Sequence, residues 1–297
     1  MRSGTLPQFF FESTKLQILA NKKSADFFSA TPFRHAVFDH FLPEKIADQL
    51  YREFEAANPA RWQMWGPGKT QHTGIPEVEK TGTSIEENFS PLTRFMLLQF
   101  NSQTFLKFLE TLTGHSGLIS DPHYNGCGLH STGRGGRLMV HTDSNRYPIK
   151  SRHIHQILNC IYFVNRGWKE SYGGAFELWD TEGKACVKKV APIFNRFLVF
   201  ETGTNSFHGH PEPLACPAGR RRNSLAAYFY QIDRPTHARY TGLQKNVQWL
   251  PQTPYERRRI RRDRIVDFLN GFVPPVYFDA VDWLKNRIDR LRRSENR

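Results

Sequence analysis

Short β-strands follow one another from Leu118 to Asp233, and the sequence pattern places no long helix between them. Runs rich in β-branched and aromatic residues alternate with glycine-rich turns, such as residues 133–136 and 173–174. This order favours a sandwich or a barrel over a parallel α/β sheet, because parallel strands need a long crossover between them. The predicted strands are Gly128–Ser131, Arg137–His141, His155–Val164, Ala175–Asp180, Phe197–Glu201 and Ser224–Ile232.

Helical patterns flank this strand-rich stretch on both sides. Residues 91–114 predict two short helices that separate near Asn101 and cover the outside of the β-core. A strand over residues 36–41 and a helix that opens at Pro43 come before them. We expect one compact unit with three parts: residues 1–116 pack on the barrel, residues 117–233 form the core, and residues 234–297 form a basic helical extension.

His141 and Asp143 lie two residues apart at the end of a predicted strand. Side chains alternate between the two faces of a strand, so both point to one side and can bind the same ion. A second histidine from a distant strand would complete a set of two histidines and one carboxylate, which is diagnostic of non-haem Fe(II) oxygenases. His208 and His210 lie two residues apart, so on a strand both would point to the same side. The residue pattern alone therefore leaves both open as the second histidine ligand.

Three consecutive arginines, residues 220–222, stand before the last apolar strand. A guanidinium at the start of a core strand is costly to bury unless it meets an anion, and its planar fork suits a carboxylate. The implied anion is a dicarboxylate co-substrate. Arg220 and Arg222 share a parity, and Ser224 faces the same way and can add a hydroxyl hydrogen bond.

The order of these features resembles that of the Fe(II)/2-oxoglutarate-dependent dioxygenases of the prolyl 4-hydroxylase type. The resemblance covers roughly residues 117–232 and rests on an ordered set of segments: His141-x-Asp143, Ile161–Asn165, Gly173–Trp179, Pro192–Phe200, His208 and Arg222-x-Ser224. It implies that the fold is mainly β with flanking helices, namely a double-stranded β-helix. This is a jelly-roll-like or cupin-like barrel with the metal at its open end.

The resemblance also implies the roles of the site residues. His141, Asp143 and His208 would bind Fe(II), because the family places its distal ligand at the first histidine after an aromatic residue. Arg222 would bind the distal carboxylate of 2-oxoglutarate, because the strand that follows it matches the family. We prefer it to Arg220 for that reason.

Relatives often place a tyrosine, which helps to hold the co-substrate, where this chain has Phe163. Asn159 lies four residues earlier on the same face of the strand and is our candidate for the missing hydrogen bond. His130 lies near the position of another co-substrate contact in relatives. Ser224 completes the predicted co-substrate pocket.

The implied reaction is hydroxylation of an unactivated C–H bond, with 2-oxoglutarate and O2 as co-substrates and ascorbate as a stimulant. The carboxylate of Asp143 favours hydroxylation, because relatives that halogenate lack it. The substrate class implied is an amino acid, a peptide (a prolyl residue is the family-level choice) or a related small molecule. Basic and aromatic side chains near the metal motif suit a substrate that carries a carboxylate: Arg146, Tyr147, Lys150, Arg152, His153, Trp168 and Trp179.

Two other functions stay open. Demethylation or desaturation on the same site is the first alternative. A non-catalytic β-barrel module that binds nucleic acid through the basic C-terminal helices is the second. It requires the metal and arginine pattern to arise by accident, so we do not favour it.

The net charge of +13 comes largely from arginines near the C-terminus. We interpret residues 255–272 as a helix with arginines on its solvated face, and expect no nucleic-acid partner. No segment approaches the roughly 18 apolar residues of a membrane span, and the four cysteines show no Cys-x-x-Cys spacing. We therefore expect a cytoplasmic protein without a membrane partner, and the sequence leaves its oligomeric state unknown. Residues 62–84, rich in Gly, Pro and Thr, are predicted to form a surface loop, with a substrate lid as the alternative.

Overall fold

The computed structural model describes residues 9–57, 62–65, 79–124, 126–143, 154–232, 248–250 and 253–258. Two compact units divide the chain, one of residues 1–70 with 76–250 and one of residues 71–75 with 251–297. The described part of the second unit is a single helical turn at residues 254–258. No helix among the described residues is long and apolar enough to cross a membrane.

The four helices described in the first unit precede most of its strands, and one early strand lies between the first two helices. They are α1 (Ser13–Ser29), α2 (Glu44–Ala56), α3 (Pro91–Phe100) and α4 (Gln103–Thr113). The early strand is β1 (His35–Asp39). The two helices predicted within residues 91–114 are confirmed, with the break at Asn101 and Ser102. The Ser102 hydroxyl accepts a hydrogen bond from the Phe105 N–H and so caps α4.

The remaining strands supply two antiparallel sheets. In chain order they are β2 (Gln63–Trp65), β3 (Lys80–Thr83), β4 (Ile119–Ser120), β5 (Gly128–Thr132), β6 (Leu138–Thr142), β7 (Ile154–Phe163), β8 (Phe176–Trp179), β9 (Cys186–Val190), β10 (Arg196–Glu201), β11 (His208–His210), β12 (Arg222–Ile232) and β13 (Gln248–Trp249). All six predicted strands are confirmed, with bounds that differ by one or two residues.

The larger sheet has the strand order β1-β10-β7-β12-β5-β3-β2, with β4 paired to β12. The smaller sheet has the order β13-β6-β11-β8-β9. The two faces of the larger sheet carry different cores. Leu158, Cys160 and Tyr162 of β7 join the cluster that packs against the helices, whereas Phe163 joins Phe176 of the smaller sheet. The face of the larger sheet that carries Phe163 therefore points away from the helices and towards the smaller sheet.

The surface loop predicted over residues 62–84 is wrong at the two ends of that segment, where strands form. These residues include β2 and β3, which pair with each other and extend the larger sheet beside β5. The middle of the segment, residues 66–78, lies outside the described residues, and the lid alternative stays a prediction. The same holds for residues 259–272 of the predicted basic helix.

Phe197 belongs to the cluster of buried residues that packs against the helices, here called the helix-facing core, and its truncation should strongly lower the stability of the fold. This side chain is fully buried and its ring stacks on that of Phe41 with 4.3 Å between centroids. We expect Phe197→Ala to lower the free energy of unfolding by about 3–5 kcal/mol, because the truncation leaves a cavity in a packed core. Urea denaturation followed by circular dichroism measures it. Leu98→Ala, at a side chain that is 49% exposed, is the control and should change stability by less than about 0.5 kcal/mol; equal losses in the two variants would contradict this packing.

Candidate metal centre and co-substrate pocket

Two neighbouring strands of the smaller sheet bring the predicted metal ligands together. β11 pairs antiparallel with β6, and His208 lies directly opposite His141. Asp143 follows the last residue of β6 and is buried beside them. One nitrogen or oxygen from each of these three residues lies within 4.8 Å of the others, and none of the three side chains is more than 12% exposed.

Gly209 permits this close approach of the two strands. A Cβ atom at this position would lie 2.8 Å from the Met139 carbonyl oxygen and 2.9 Å from that of Leu138. Any side chain would therefore push β11 away from β6. The glycine between His208 and His210 is thus a geometric requirement of the histidine pair.

Both histidines are oriented by backbone carbonyls. His141 Nδ1 lies 2.7 Å from the Met139 carbonyl oxygen, and His208 Nδ1 lies 2.8 Å from that of Ser206. A carbonyl only accepts, so each Nδ1 carries the proton and each Nε2 keeps its lone pair. This outer contact fixes the tautomer and ring orientation that a metal-binding imidazole needs.

The Nε2 atoms of both histidines face one oxygen of Asp143. His141 Nε2 lies 3.5 Å and His208 Nε2 3.6 Å from Asp143 Oδ1. Donors about 2.1 Å from a shared ion lie roughly 3 to 3.5 Å apart, so the set fits a single divalent ion. Two imidazoles and one carboxylate on one side of an ion are the donor set of non-haem Fe(II).

The protonation states of these groups also suit metal binding. Burial lowers the pKa of His141, and the neighbouring His208 lowers it further, so its imidazole is neutral near pH 7. Burial opposes ionisation of Asp143, but His208 and His141, when they carry a proton on the nitrogen that faces it, hold the pKa of this carboxyl well below its usual range; a metal ion would take the place of that proton. A neutral imidazole and an ionised carboxylate are the forms that bind metal.

The second oxygen of Asp143 contacts two amides of β7. Asn159 Nδ2 donates to Asp143 Oδ2 at 2.9 Å, and Gln156 Nε2 lies 3.5 Å from the same oxygen. Asn159 Oδ1 is buried and accepts no hydrogen bond from the described residues. The sequence indicated Asn159 as a co-substrate contact, and this role stays a prediction. Gln156 was missed.

The predicted anion-binding arginine lies deep in the first unit. Arg222 is 6% exposed, and its Nε donates to the Gly174 carbonyl oxygen at 2.7 Å. Gly174 has φ +72, and a Cβ there would lie 3.0 Å from Arg222 Cδ, so glycine leaves the space for this side chain. The Arg222 guanidinium carbon also lies 5.1 Å from the centre of the Phe163 ring.

Arg222 forms no ion pair with any carboxylate among the described residues. Burial alone lowers its pKa to about 9, which reflects the cost of a desolvated guanidinium. A cation in such a place is stabilised by an anion that binds to it. The arrangement therefore fits a carboxylate ligand.

Other predicted pocket residues lie in one row next to Arg222. Ser224 on β12 is opposite both His130 on β5 and Phe163 on β7. These three residues therefore share a face of the sheet with Arg222, two residues before Ser224. Their contact with a co-substrate stays a prediction.

Lys80 is a pocket residue that the sequence did not reveal. It is 8% exposed and pairs with Thr132, which also pairs with Arg222 on the next strand. After burial, the charges of Lys80 and Arg222 are the next causes that hold the pKa of His130 well below its usual value. Two buried cations therefore act on the same part of the pocket.

The two competing candidates lie elsewhere. His210 is buried, but it is not part of the group that can hold a metal, and its Nδ1 has no hydrogen-bond partner among the described residues. Arg220 donates through Nη2 to the Arg166 carbonyl oxygen at a more exposed position. The structure thus favours His208 over His210 as the metal ligand, and Arg222 over Arg220 as the anion-binding arginine. The two residues of each pair lie two positions apart, so strand alternation in the sequence did not distinguish them.

Five of the predicted substrate contacts, residues 146, 147, 150, 152 and 153, lie outside the described residues. Trp168 donates through Nε1 to the Gly173 carbonyl oxygen, and Trp179 does so to Glu177 Oε2. Both indoles are therefore held by neighbouring parts of the chain.

The comparison with protein families matches this site. Residues 127–230 match the model of the 2OG-Fe(II) oxygenase superfamily, and this range contains both histidines, the aspartate and Arg222. These residues form a 2OG-Fe(II) oxygenase domain. The prediction of a 2-oxoglutarate-dependent dioxygenase with an iron-binding triad of His141, Asp143 and His208 is confirmed. A search of curated proteins by sequence finds no match.

Solved structures of oxygenases resemble this chain. A prolyl hydroxylase from Trichoplax adhaerens, in complex with a hypoxia inducible factor peptide fragment, is 17% identical, with a TM-score of 0.50 over 76% of this chain and 94% of that one. A prolyl-4-hydroxylase from Pseudomonas putida is 19% identical (TM-score 0.48; 73% and 100%). HygX from Streptomyces hygroscopicus, with nickel, 2-oxoglutarate and hygromycin B bound, is 11% identical (TM-score 0.45; 73% and 88%).

The Trichoplax structure supports the fold of the oxygenase domain. At 17% identity the likeness shows the fold alone. With the two antiparallel sheets, it confirms the predicted double-stranded β-helix with flanking helices. The division at residues 116 and 233 and the cytoplasmic location stay predictions.

Proposed function

We propose that this oxygenase domain hydroxylates an unactivated C–H bond of an amino acid, a peptidyl residue such as proline, or a related small molecule. The observation that carries the proposal is the pairing of a two-histidine, one-carboxylate group with a buried arginine that lacks a carboxylate partner among the described residues. The first group fits Fe(II), and the second fits the distal carboxylate of 2-oxoglutarate.

Each residue has a defined task in this proposal. His141, Asp143 and His208 hold the metal, and the backbone carbonyls behind the imidazoles keep their lone pairs directed at it. Arg222 orients the co-substrate by its charge. When bound, iron with 2-oxoglutarate and O2 supplies the oxidation, in which one oxygen enters the substrate and the other leaves in succinate, with release of CO2.

The walls of the site restrict access of water to the metal. The rings of Phe176 and Phe200 pack against His208, with centroid separations of 5.2 and 4.8 Å. Both phenylalanines are at least 97% buried. Apolar walls of this kind hold the imidazole in place and reduce side reactions at a metal site.

The Trichoplax prolyl hydroxylase is in complex with a peptide fragment, and a peptide is one of the proposed substrate classes. The Asp143 carboxylate supports hydroxylation over halogenation. It occupies the ligand position in which a halide ion would have to bind. Demethylation and desaturation use the same site and are separated from hydroxylation by their products.

Product analysis tests the proposed reaction. Purified protein with Fe(II), 2-oxoglutarate, ascorbate and 18O-labelled O2 is screened against free amino acids and proline-containing peptides, with mass spectrometry of the products. We expect succinate together with a substrate that gains one labelled oxygen atom. Formaldehyde release would indicate demethylation, and loss of two hydrogen atoms without oxygen gain would indicate desaturation; either result would replace hydroxylation.

A further inference from the structure

β7 carries an irregularity beside the metal ligands. Leu158 pairs with Phe229 and Gln156 with Tyr230, so Ile157 has no partner residue on β12. Two residues therefore stand opposite one, which is the arrangement of a β-bulge. Ile157 and Leu158 both join the helix-facing core. Bulges recur next to active sites, where they redirect a side chain.

The bulge brings two amides to the same side of the sheet. Strict alternation would place Gln156 and Asn159 on opposite faces, since they are three residues apart. The extra residue at Ile157 changes the phase, and both amide nitrogens reach the same carboxylate oxygen, Asp143 Oδ2. A local feature of the backbone thus directs two donors at one metal ligand.

The two oxygens of Asp143 have separate partners. Oδ1 lies near both imidazole Nε2 atoms, at 3.5 and 3.6 Å. Oδ2 accepts from Asn159 at 2.9 Å and lies 3.5 Å from Gln156 Nε2. A carboxylate is acceptor-only, so the atoms that face Oδ2 are the amide nitrogens.

Gln156 and Asn159 are held in place by their surroundings. Gln156 is 4% and Asn159 3% exposed, and Asn159 stands between Phe200 and Tyr228 on the neighbouring strands. The bulge itself is anchored by Ile157 and Leu158, which are at most 1% exposed. The amides therefore keep their positions before any metal arrives.

We propose that Gln156 and Asn159 form a clamp: they are positioning residues that hold Oδ2 of Asp143, so that the carboxylate would bind the metal through Oδ1 alone. This inference rests on the proposed function, since it assigns the amides to the same metal site. A carboxylate released from Oδ2 would turn and bring both oxygens to the metal. The clamp would thus leave to the co-substrates a coordination position that the second oxygen of Asp143 could otherwise occupy.

Cobalt titration tests the clamp without turnover. Metal-free wild type and Asn159→Leu are titrated with Co(II) in the absence of 2-oxoglutarate, and the affinity and visible spectrum are recorded. We expect Asn159→Leu to bind Co(II) about 10–100-fold more weakly, as for other outer partners of metal ligands. Its Co(II) spectrum should also differ, because the carboxylate is free to bind through two oxygens. Gln156→Leu, whose contact is longer, should show a smaller loss of affinity.

Gln99→Leu is the matched control. Gln99 is a fully buried amide that accepts from the Phe10 and Phe11 N–H groups, on the helical side of the unit. It should lose stability but keep the Co(II) affinity and spectrum of the wild type. If Asn159→Leu does not fold, Asn159→Ser serves in its place, because the shorter hydroxyl leaves the 2.9 Å contact unmade.

The outcomes of the titration distinguish failure of the clamp from failure of the proposed function. Wild-type affinity and spectrum in a folded Asn159 variant would overturn the clamp and leave the metal site intact. Failure of the wild type itself to bind Co(II) would overturn the proposed function, and the clamp with it. A loss that appears only when 2-oxoglutarate is added would assign Asn159 to the co-substrate and would also overturn the clamp.

Discussion

His141→Ala is expected to abolish Fe(II)-dependent turnover and to weaken metal binding by more than about a hundredfold. Loss of a residue that hydrogen-bonds to a metal ligand already weakens metal binding about 10–100-fold, and this variant loses a ligand itself. The remaining Asp143 carboxylate would stay buried beside a single imidazole. Metal affinity by Co(II) titration and succinate release with 2-oxoglutarate measure the two effects.

His210→Ala controls for the loss of a buried histidine near the metal. His210 is as buried as His208, but it lies outside the group that can hold the ion. We expect this variant to keep the wild-type Co(II) affinity. The assignment of His208 as the distal ligand would be wrong if His210→Ala lost the metal and His208→Ala kept it.

Arg222→Ala should mainly raise the concentration of 2-oxoglutarate that the enzyme needs. Loss of a charge-assisted contact costs about 1.5–3 kcal/mol. Because about 1.4 kcal/mol is tenfold in an equilibrium constant, KM for 2-oxoglutarate should rise roughly ten- to hundredfold. Steady-state kinetics with varied 2-oxoglutarate measure the change, and Co(II) affinity should stay at the wild-type value, since Arg222 is not a metal ligand.

Arg220→Ala is the matched control for that variant. Its guanidinium bonds to a backbone carbonyl at a more exposed position. We expect an unchanged KM for 2-oxoglutarate. The opposite pattern, with the larger effect at Arg220, would show that the sequence resemblance had selected the wrong arginine.

Most of the barrel could be predicted from the sequence because its strands are long and apolar. β7 and β12, the central pair of the larger sheet, were both found with bounds close to those observed. β9 and β11 were not, since one is largely exposed and the other has three residues. Such strands owe their conformation to their neighbours in the sheet more than to their own composition.

Helix α1 shows a different limit. Its buried residues are Leu16, Ala20 and Phe27, but Ile18 and Phe28 on the same helix are 63% and 40% exposed. Apolar residues on more than one face hide the periodicity from which a helix is inferred. This segment could therefore not be assigned before its packing was known.

The metal ligands could be predicted from the sequence, but two buried residues of the site, Gln156 and Lys80, could not. The spacing of His141 and Asp143 follows from strand alternation, which holds locally. Gln156 was missed because the bulge at Ile157 breaks that alternation, and a period-two pattern does not reveal a bulge. Lys80 was missed because the pairing of β3 with β5, which buries it, joins distant parts of the chain.

Anaerobic addition of Fe(II) and 2-oxoglutarate to the purified protein tests the central claim most directly. Chelation of iron by 2-oxoglutarate produces a weak visible charge-transfer band, which reports both the metal site and the co-substrate pocket. We expect the band in the wild type, no band in His141→Ala, and a higher 2-oxoglutarate requirement in Arg222→Ala. Absence of the band in folded, iron-bound wild type, or its persistence in His141→Ala, would contradict the account.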